Sequence, residues 1–130
     1  MLMPGFDRIT SLLTEFLDVQ SRRAQIVASN LANADTPGYV AQELDFAEHL
    51  RQAAHEALTP SYNTSQTAPA ITHGPQVVEQ KSSVAGLDGN TVDSGREMST
   101  LAETGMQFLA GAQMLQARLR MLRAAIREGR

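Results

Sequence analysis

The chain has 130 residues, enough for one domain, and 42% of them are hydrophobic, a share swollen by alanine. A net charge of −3 and a pI near 5.5 exclude a global basic field that would recruit nucleic acid or an anionic membrane. Cysteine is absent, which removes disulfides, thiolate catalysis and Cys-based zinc sites together.

The first predicted element is a long amphipathic helix over residues 7–34. Asp7 is its expected N-cap, and Ile9, Leu13, Phe16, Leu17, Ala24, Val27 and Leu31 fall on one broad face. Pro37 pushes Thr36 out of the helical region, and Pro37-Gly38 supplies the preset φ and the tolerated positive φ of a tight turn.

Residues 35–93 form a polar middle. Phe46, Leu50, Ala53, Ala54 and Ala57 on a rough helical period predict a short helix over Leu44–Leu58, stopped ahead of Pro60. From Thr59 to Pro75 there is almost nothing to bury, so the run reads as a loop or linker. Gln76–Glu79 and Ser83–Ala85 are expected to pair as short strands ahead of the turn at Leu87–Asn90.

The last element is a helix over residues 94–128, with Ser94 and Glu97 expected to form a capping box. Met98, Leu101, Gly105, Phe108, Ala112, Leu115, Leu119, Leu122 and Ile126 alternate spacings of three and four, the seam of a helix that packs lengthwise on another. Gly105 and Gly111 each cost about 1 kcal/mol against Ala in a helix, a poor choice unless another backbone or side chain comes close there. With Ala102, Ala110 and Ala112 they make a smooth patch, suited equally to the chain's own helix or to a neighbouring subunit.

Two such helices can pair with each other or with copies of themselves. The expected fold is mainly α, with the long terminal helices pairing as an antiparallel coiled-coil-like layer and a polar loop or short β segment between them. If they run antiparallel, Arg118, Arg120, Arg123, Arg127 and Arg130 come near Asp7, Glu15 and Asp18. Burying one Leu or Phe contributes roughly 1.5–3 kcal/mol, whereas ordering each residue costs on the order of 1–2 kcal/mol in backbone entropy. A lone two-helix ribbon buries one face of each helix, so partners are expected to supply the remainder.

Chemistry-bearing patterns are sparse. His49 and His55 sit six apart, on different faces of a helix, and His73 lies in the linker, so no metal site is expected. Asp88-Gly89-Asn90 fails as a calcium loop because Val92 occupies the next ligand position. No activated nucleophile, paired carboxylate in a cleft or phosphate loop is present, and neither enzymatic activity nor a cofactor is expected. No apolar run spans a bilayer and no secretory signal leads the chain, so direct membrane insertion and Sec-type export are not expected.

The specific signal is the junction Ser29-Asn30-Leu31-Ala32-Asn33-Ala34-Asp35-Thr36-Pro37-Gly38-Tyr39, followed by Glu43-Leu44-Asp45-Phe46. A plain helix stop does not require two Asn, a Tyr and a following acidic-aromatic pair. The segment resembles the N-terminal signature of the flagellar rod, hook and hook-associated axial proteins. The short middle and the stretch from Gly89-Asn90-Thr91-Val92-Asp93 through Ile126 are most similar to the small subunits of the proximal rod. The Met106-Gln107 pair departs from the Tyr-Gln common in related rod proteins.

That resemblance implies a structural subunit of the basal-body rod, exported by the flagellar type III apparatus without a cleaved signal and self-assembling in the periplasm. Implied partners are further copies of the chain, the rod proteins FlgC and FliE, and the membrane-ring and export-gate base. The rival reading is a soluble helical adaptor or export chaperone that uses the same heptads to grip a partner.

Overall fold

The computed structural model describes residues 4–58, 74–80 and 84–129. Residues 59–73 of the expected Thr59–Pro75 loop, His73 among them, and the start of the second expected strand, at Ser83, lie outside the described residues. In chain order the elements are α1 (Pro4–Ala32), β1 (Gln42–Leu44), α2 (Phe46–Leu58), β2 (Val77–Glu79) and α3 (Ser94–Glu128). The fold is mainly α, with one small two-stranded sheet.

α1 and α3 are the frame, and they run antiparallel. Asn30 reaches Glu97, Gln20 reaches Gln107 and Phe16 faces Gly111, so every step up one helix is matched by a step down the other. α1 begins at Pro4, a turn ahead of Asp7, because proline presets the φ of a first helical turn and lacks only an N–H that would go unused there. α3 is capped by Asp93, whose Oδ1 accepts from the backbone N–H of Gly95 at 3.0 Å and of Arg96 at 3.1 Å. The expected Ser94–Glu97 capping box does not form, because Asp93 already does that work and Glu97 turns inward.

β2 pairs antiparallel with β1, in the register Gln42↔Glu79, Glu43↔Val78 and Leu44↔Val77. The expected pairing of this strand with Ser83–Ala85 is therefore corrected: Val84 and Ala85 are exposed and non-strand. Asp45 N–H to the Gln76 carbonyl and Gln80 N–H to the Ala41 carbonyl, both 2.9 Å, extend the ladder at each end. α2 lies against α1 through an edge-on contact between Phe16 and Phe46, with Arg23 stacked 5.8 Å from the Phe46 ring centre. His49 is buried beneath α2, its Nε2 2.7 Å from Glu15 Oε1.

Burial is shallow. Among the described residues the buried hydrophobic side chains include Val19, Val27, Ala41, Leu44 and Ala53, and buried with them are the polar Gln20, Asn30, His49, Asn90, Glu97 and Thr104. The middle contributes more than its polarity suggests, because Ala41, Leu44 and Ala53 all come from it.

Candidate assembly interface

Asn30, on the last turn of α1, is fully buried and all its amide capacity is used. Its Nδ2 donates to the Gln42 carbonyl at 2.7 Å and to Glu97 Oε2 at 3.1 Å. Its Oδ1 accepts from the Gln42 N–H at 3.0 Å and from the Tyr39 hydroxyl at 3.3 Å. One side chain thus ties α1 to β1, to α3 and to the end of the signature turn. Gln80 Nε2 donates to the other Glu97 oxygen at 3.2 Å, so the buried carboxylate is met from both sides.

The turn itself is held from within and from across the chain. Asn33 Nδ2 donates back to the Ser29 carbonyl at 2.8 Å, and the Thr36 hydroxyl donates to Asn33 Oδ1 at 3.2 Å. Gly38 adopts φ +72, a conformation that favours glycine. Asn90 then reaches across from the far segment, its Nδ2 within 2.9 Å of the carbonyls of Asn33, Ala34 and Thr36. Gly38 N–H to the Asp88 carbonyl, Thr91 N–H to the Tyr39 carbonyl and Ala41 N–H to Thr91 Oγ1 complete the staple. Helix-end carbonyls need such partners, and here the segment before α3 supplies them.

Ser29, Ala32, Asp35, Thr36, Pro37 and Gly38 of the signature remain exposed, whereas Leu31 and Tyr39 are half-buried. The motif presents an outer surface while Asn30 anchors it.

The predicted seam residues divide. On α1, Val27 is buried and Leu13, Phe16 and Leu17 are half-buried. On α3, Leu101, Leu115 and Leu122 are half-buried on the face of Thr104 and Gly111. Gly111 is a point of close approach: a Cβ there would stand 2.8 Å from Phe16 Cε1 and 3.1 Å from Leu17 Cδ2. Gly105 is open, with nothing within 4 Å of the same test atom. Ala112 is half-buried, whereas Met98, Phe108, Leu119 and Ile126 are exposed. At 100° per residue, Met98, Ala102, Gly105 and Leu109 share a second strip of α3, and Met98 is 60% and Leu109 62% exposed. The helix therefore carries apolar residues on a face that α1 does not reach.

Two of the α1 acids expected opposite the α3 arginines have partners nearer at hand. Glu15 faces His49, and Asp18 pairs with Arg22 one turn on in the same helix. An i,i+4 partner needs no distant chain and wins by proximity.

Pattern reading missed Asn90, Glu97, Gln20 and Thr104 as structural residues. Asn90 carried a legible signal, a lone Asn in a Gly-rich run; Glu97 was masked by its spacing from Ser94. Among the described residues no group of His, Asp and Glu is placed to hold a metal. The joint uses its polar groups to hold backbone and the Glu97 carboxylate.

Residues 17–39, the end of α1 and the turn just described, match the family described as "Flagella basal body rod protein". This defines the class: a basal-body rod protein of the bacterial flagellum. Over nearly its whole length the chain is similar to the flagellar basal body rod protein FlgB of Salmonella typhimurium, with 32% identity across 95% of this chain and 98% of the relative. It is similar to FlgB of Escherichia coli K12 with 30% identity across 98% and 99%, and to FlgB of Proteus mirabilis with 28% across 88% and 90%. The chain belongs to the FlgB family, and it is a structural subunit of the rod.

Proposed function

We propose that the chain builds the proximal rod by presenting the outer strip of α3 to neighbouring subunits while α1 covers the opposite face. The observation that carries this is the contrast between two α3 glycines, Gly105 and Gly111. Gly111 is filled by Phe16 and Leu17 of the same chain, whereas Gly105, between Met98 and Leu109, opens onto solvent. A glycine kept in a helix at about 1 kcal/mol against Ala suits a surface that another helix approaches closely.

In this reading the partners are further copies of the chain, the rod proteins FlgC and FliE, and the membrane-ring and export-gate base. The rod lies in the periplasm, and the subunit reaches it through the flagellar type III apparatus without a cleaved signal. A thin hydrophobic core favours such travel, since a weakly held helix pair unfolds readily and orders again when neighbours complete its apolar faces. Among the described residues no helix is long and apolar enough to cross a membrane. The exposed signature residues Ser29, Asp35, Thr36 and Pro37 are part of the same outer surface, and residues 1–130 act as one rod-subunit domain.

The test is Gly105→Leu in a strain whose own copy is deleted. The added side chain meets open space in the monomer and improves helix propensity, so helicity of the purified chain holds and its melting point holds or rises, while incorporation into isolated basal bodies and swimming are lost. Normal swimming with Gly105→Leu and with Leu109→Asp would remove the strip from the mechanism.

A further inference from the structure

α3 carries a row of exposed sulfur. Of the six methionines in the chain, Met98, Met106, Met114 and Met121 fall within the described residues, all of them on α3, in steps of eight, eight and seven. One therefore stands about every 12 Å along the helix axis. They are 60%, 67%, 63% and 58% exposed. At 100° per residue each lies at least about 60° around the helix from the buried Thr104 and Gly111, the line that faces α1. Met98 belongs to the outward strip of Ala102, Gly105 and Leu109, and Met106, Met114 and Met121 share an arc of about 80° beside it.

The chain has no cysteine, so methionine is its only readily oxidised sulfur. A thioether is apolar and flexible, which lets it fill an irregular surface on a neighbouring helix. Its sulfoxide is polar and chiral, and a closing apolar interface leaves the new oxygen without a donor. Leu109, Leu119 and Ile126 expose apolar area on the same helix without that chemistry. Conversion requires access for a two-electron oxidant such as hydrogen peroxide. The sulfur lone pair attacks one peroxide oxygen, and the S–O bond forms as the O–O bond breaks. The departing hydroxide takes the proton from the new S–OH group and leaves as water. Sulfur has lost two electrons and peroxide has gained them.

We propose that the α3 methionines are a reversible modification site that gates entry to the rod. Peroxide converts them to sulfoxides on the free subunit, the oxidised subunit is not accepted, and neighbours shield the same sulfurs once the subunit is in place. A methionine sulfoxide reductase reverses the change, with two thiols becoming a disulfide as the oxygen leaves in water. The gate rests on the rod-subunit reading of the outer α3 surface and adds the chemistry that closes that surface.

The purified full chain and isolated basal bodies containing it are given the same dose of hydrogen peroxide and mapped peptide by peptide. The free chain should gain about 16 Da at each of the four methionines, and the assembled chain should stay unmodified there until the rod is dissociated. In parallel, Met98→Gln/Met106→Gln/Met114→Gln/Met121→Gln, a polar mimic of the sulfoxide, and the matching fourfold Leu variant are each expressed as the sole copy. The four positions are exposed and both replacements are good helix formers, so the free chains keep wild-type helicity. The Gln chain should be lost from basal bodies. The Leu chain should enter them, and should keep entering when growing cells receive peroxide at a dose that stops wild-type entry.

Equal oxidation of free and assembled chain, full incorporation of the Gln variant, exclusion of the Leu variant, or equal peroxide sensitivity of Leu and wild-type chains overturns the gate. With any of these, continued exclusion of Gly105→Leu leaves the rod-surface reading standing. Failure of the wild-type chain to enter basal bodies removes the rod assignment and the gate together.

Discussion

Adding one methyl group to each of the two α3 glycines separates helix propensity from tertiary fit. Both positions are mid-helix, so Gly→Ala contributes about 1 kcal/mol of propensity at either. At Gly105 nothing opposes that gain, since the new Cβ has no neighbour within 4 Å, and Gly105→Ala should stabilise the isolated chain by about 1 kcal/mol. At Gly111 the same Cβ would stand 2.8 and 2.9 Å from two Phe16 ring atoms, closer than real contacts allow, and a tight 3.1 Å from Leu17 Cδ2. Phe16 has little room to yield, because its ring already meets Phe46 edge-on at a centroid distance of 6.2 Å. Overpacking of this kind typically costs 1–3 kcal/mol, leaving Gly111→Ala between neutral and about 2 kcal/mol destabilised.

The difference between the two variants cancels propensity and isolates the contact at about 1–3 kcal/mol. Urea melts followed by far-ultraviolet circular dichroism measure it directly from midpoints at constant slope. Stabilities of the two variants that agree within about 0.3 kcal/mol would refute the claim that Phe16 and Leu17 pack closely on Gly111.

Asn30→Ala should be among the most damaging single changes, costing about 3 kcal/mol or more, because it strands Glu97 Oε2 and both backbone groups of Gln42; chemical denaturation checks it, and a neutral result removes Asn30 from the centre of the joint. Gln20 donates to Gln107 at 2.7 Å while its own Oε1 is buried and accepts no bond among the described residues, so Gln20→Leu/Gln107→Leu should match or exceed wild-type stability. The Arg51 guanidinium bonds Glu48 and holds its carboxyl below the ordinary carboxylate value; this support of α2 is complete above the unfolded Glu48 value and fades as pH falls through the folded one, so a carbon-detected NMR titration of Glu48 should move upward in Arg51→Gln. Because so few apolar side chains are buried among the described residues, mean helicity of the isolated subunit should rise on entry into the rod, measurable as slowed amide exchange across α1 and α3.

Much of this was legible in local signals. The long helices follow from period and length, α2 from the spacing of Phe46, Leu50 and Ala53, and the break at Thr36-Pro37-Gly38 from backbone sterics that hold in any context. The signature turn was equally visible, since two Asn beside a Pro-Gly have few other uses. What was not legible had the same cause each time: a residue with two available partners. Glu97 sits three after Ser94, so a capping box and a buried bond to Asn30 look alike until Asp93 takes the cap. Val77–Glu79 has an apolar neighbour run close by in the sequence, yet it pairs with Gln42–Leu44 across the polar middle.

The α3 seam shows the division most clearly. Its heptads, read alone, specify a helix meant to lie along other helices, and they specify no direction around its axis, because Met98, Leu101, Thr104, Gly105, Leu109 and Gly111 leave apolar or small groups on several faces. Only the approach of Phe16 and Leu17 to Gly111, and of Asn30 to Glu97, selects one of those faces for α1 and leaves Met98, Gly105 and Leu109 facing outward. Local backbone preference and periodicity act over a few residues and survive in the one-dimensional chain. The choice of face depends on side-chain volumes brought together from opposite ends, which exist as neighbours only once the chain has folded.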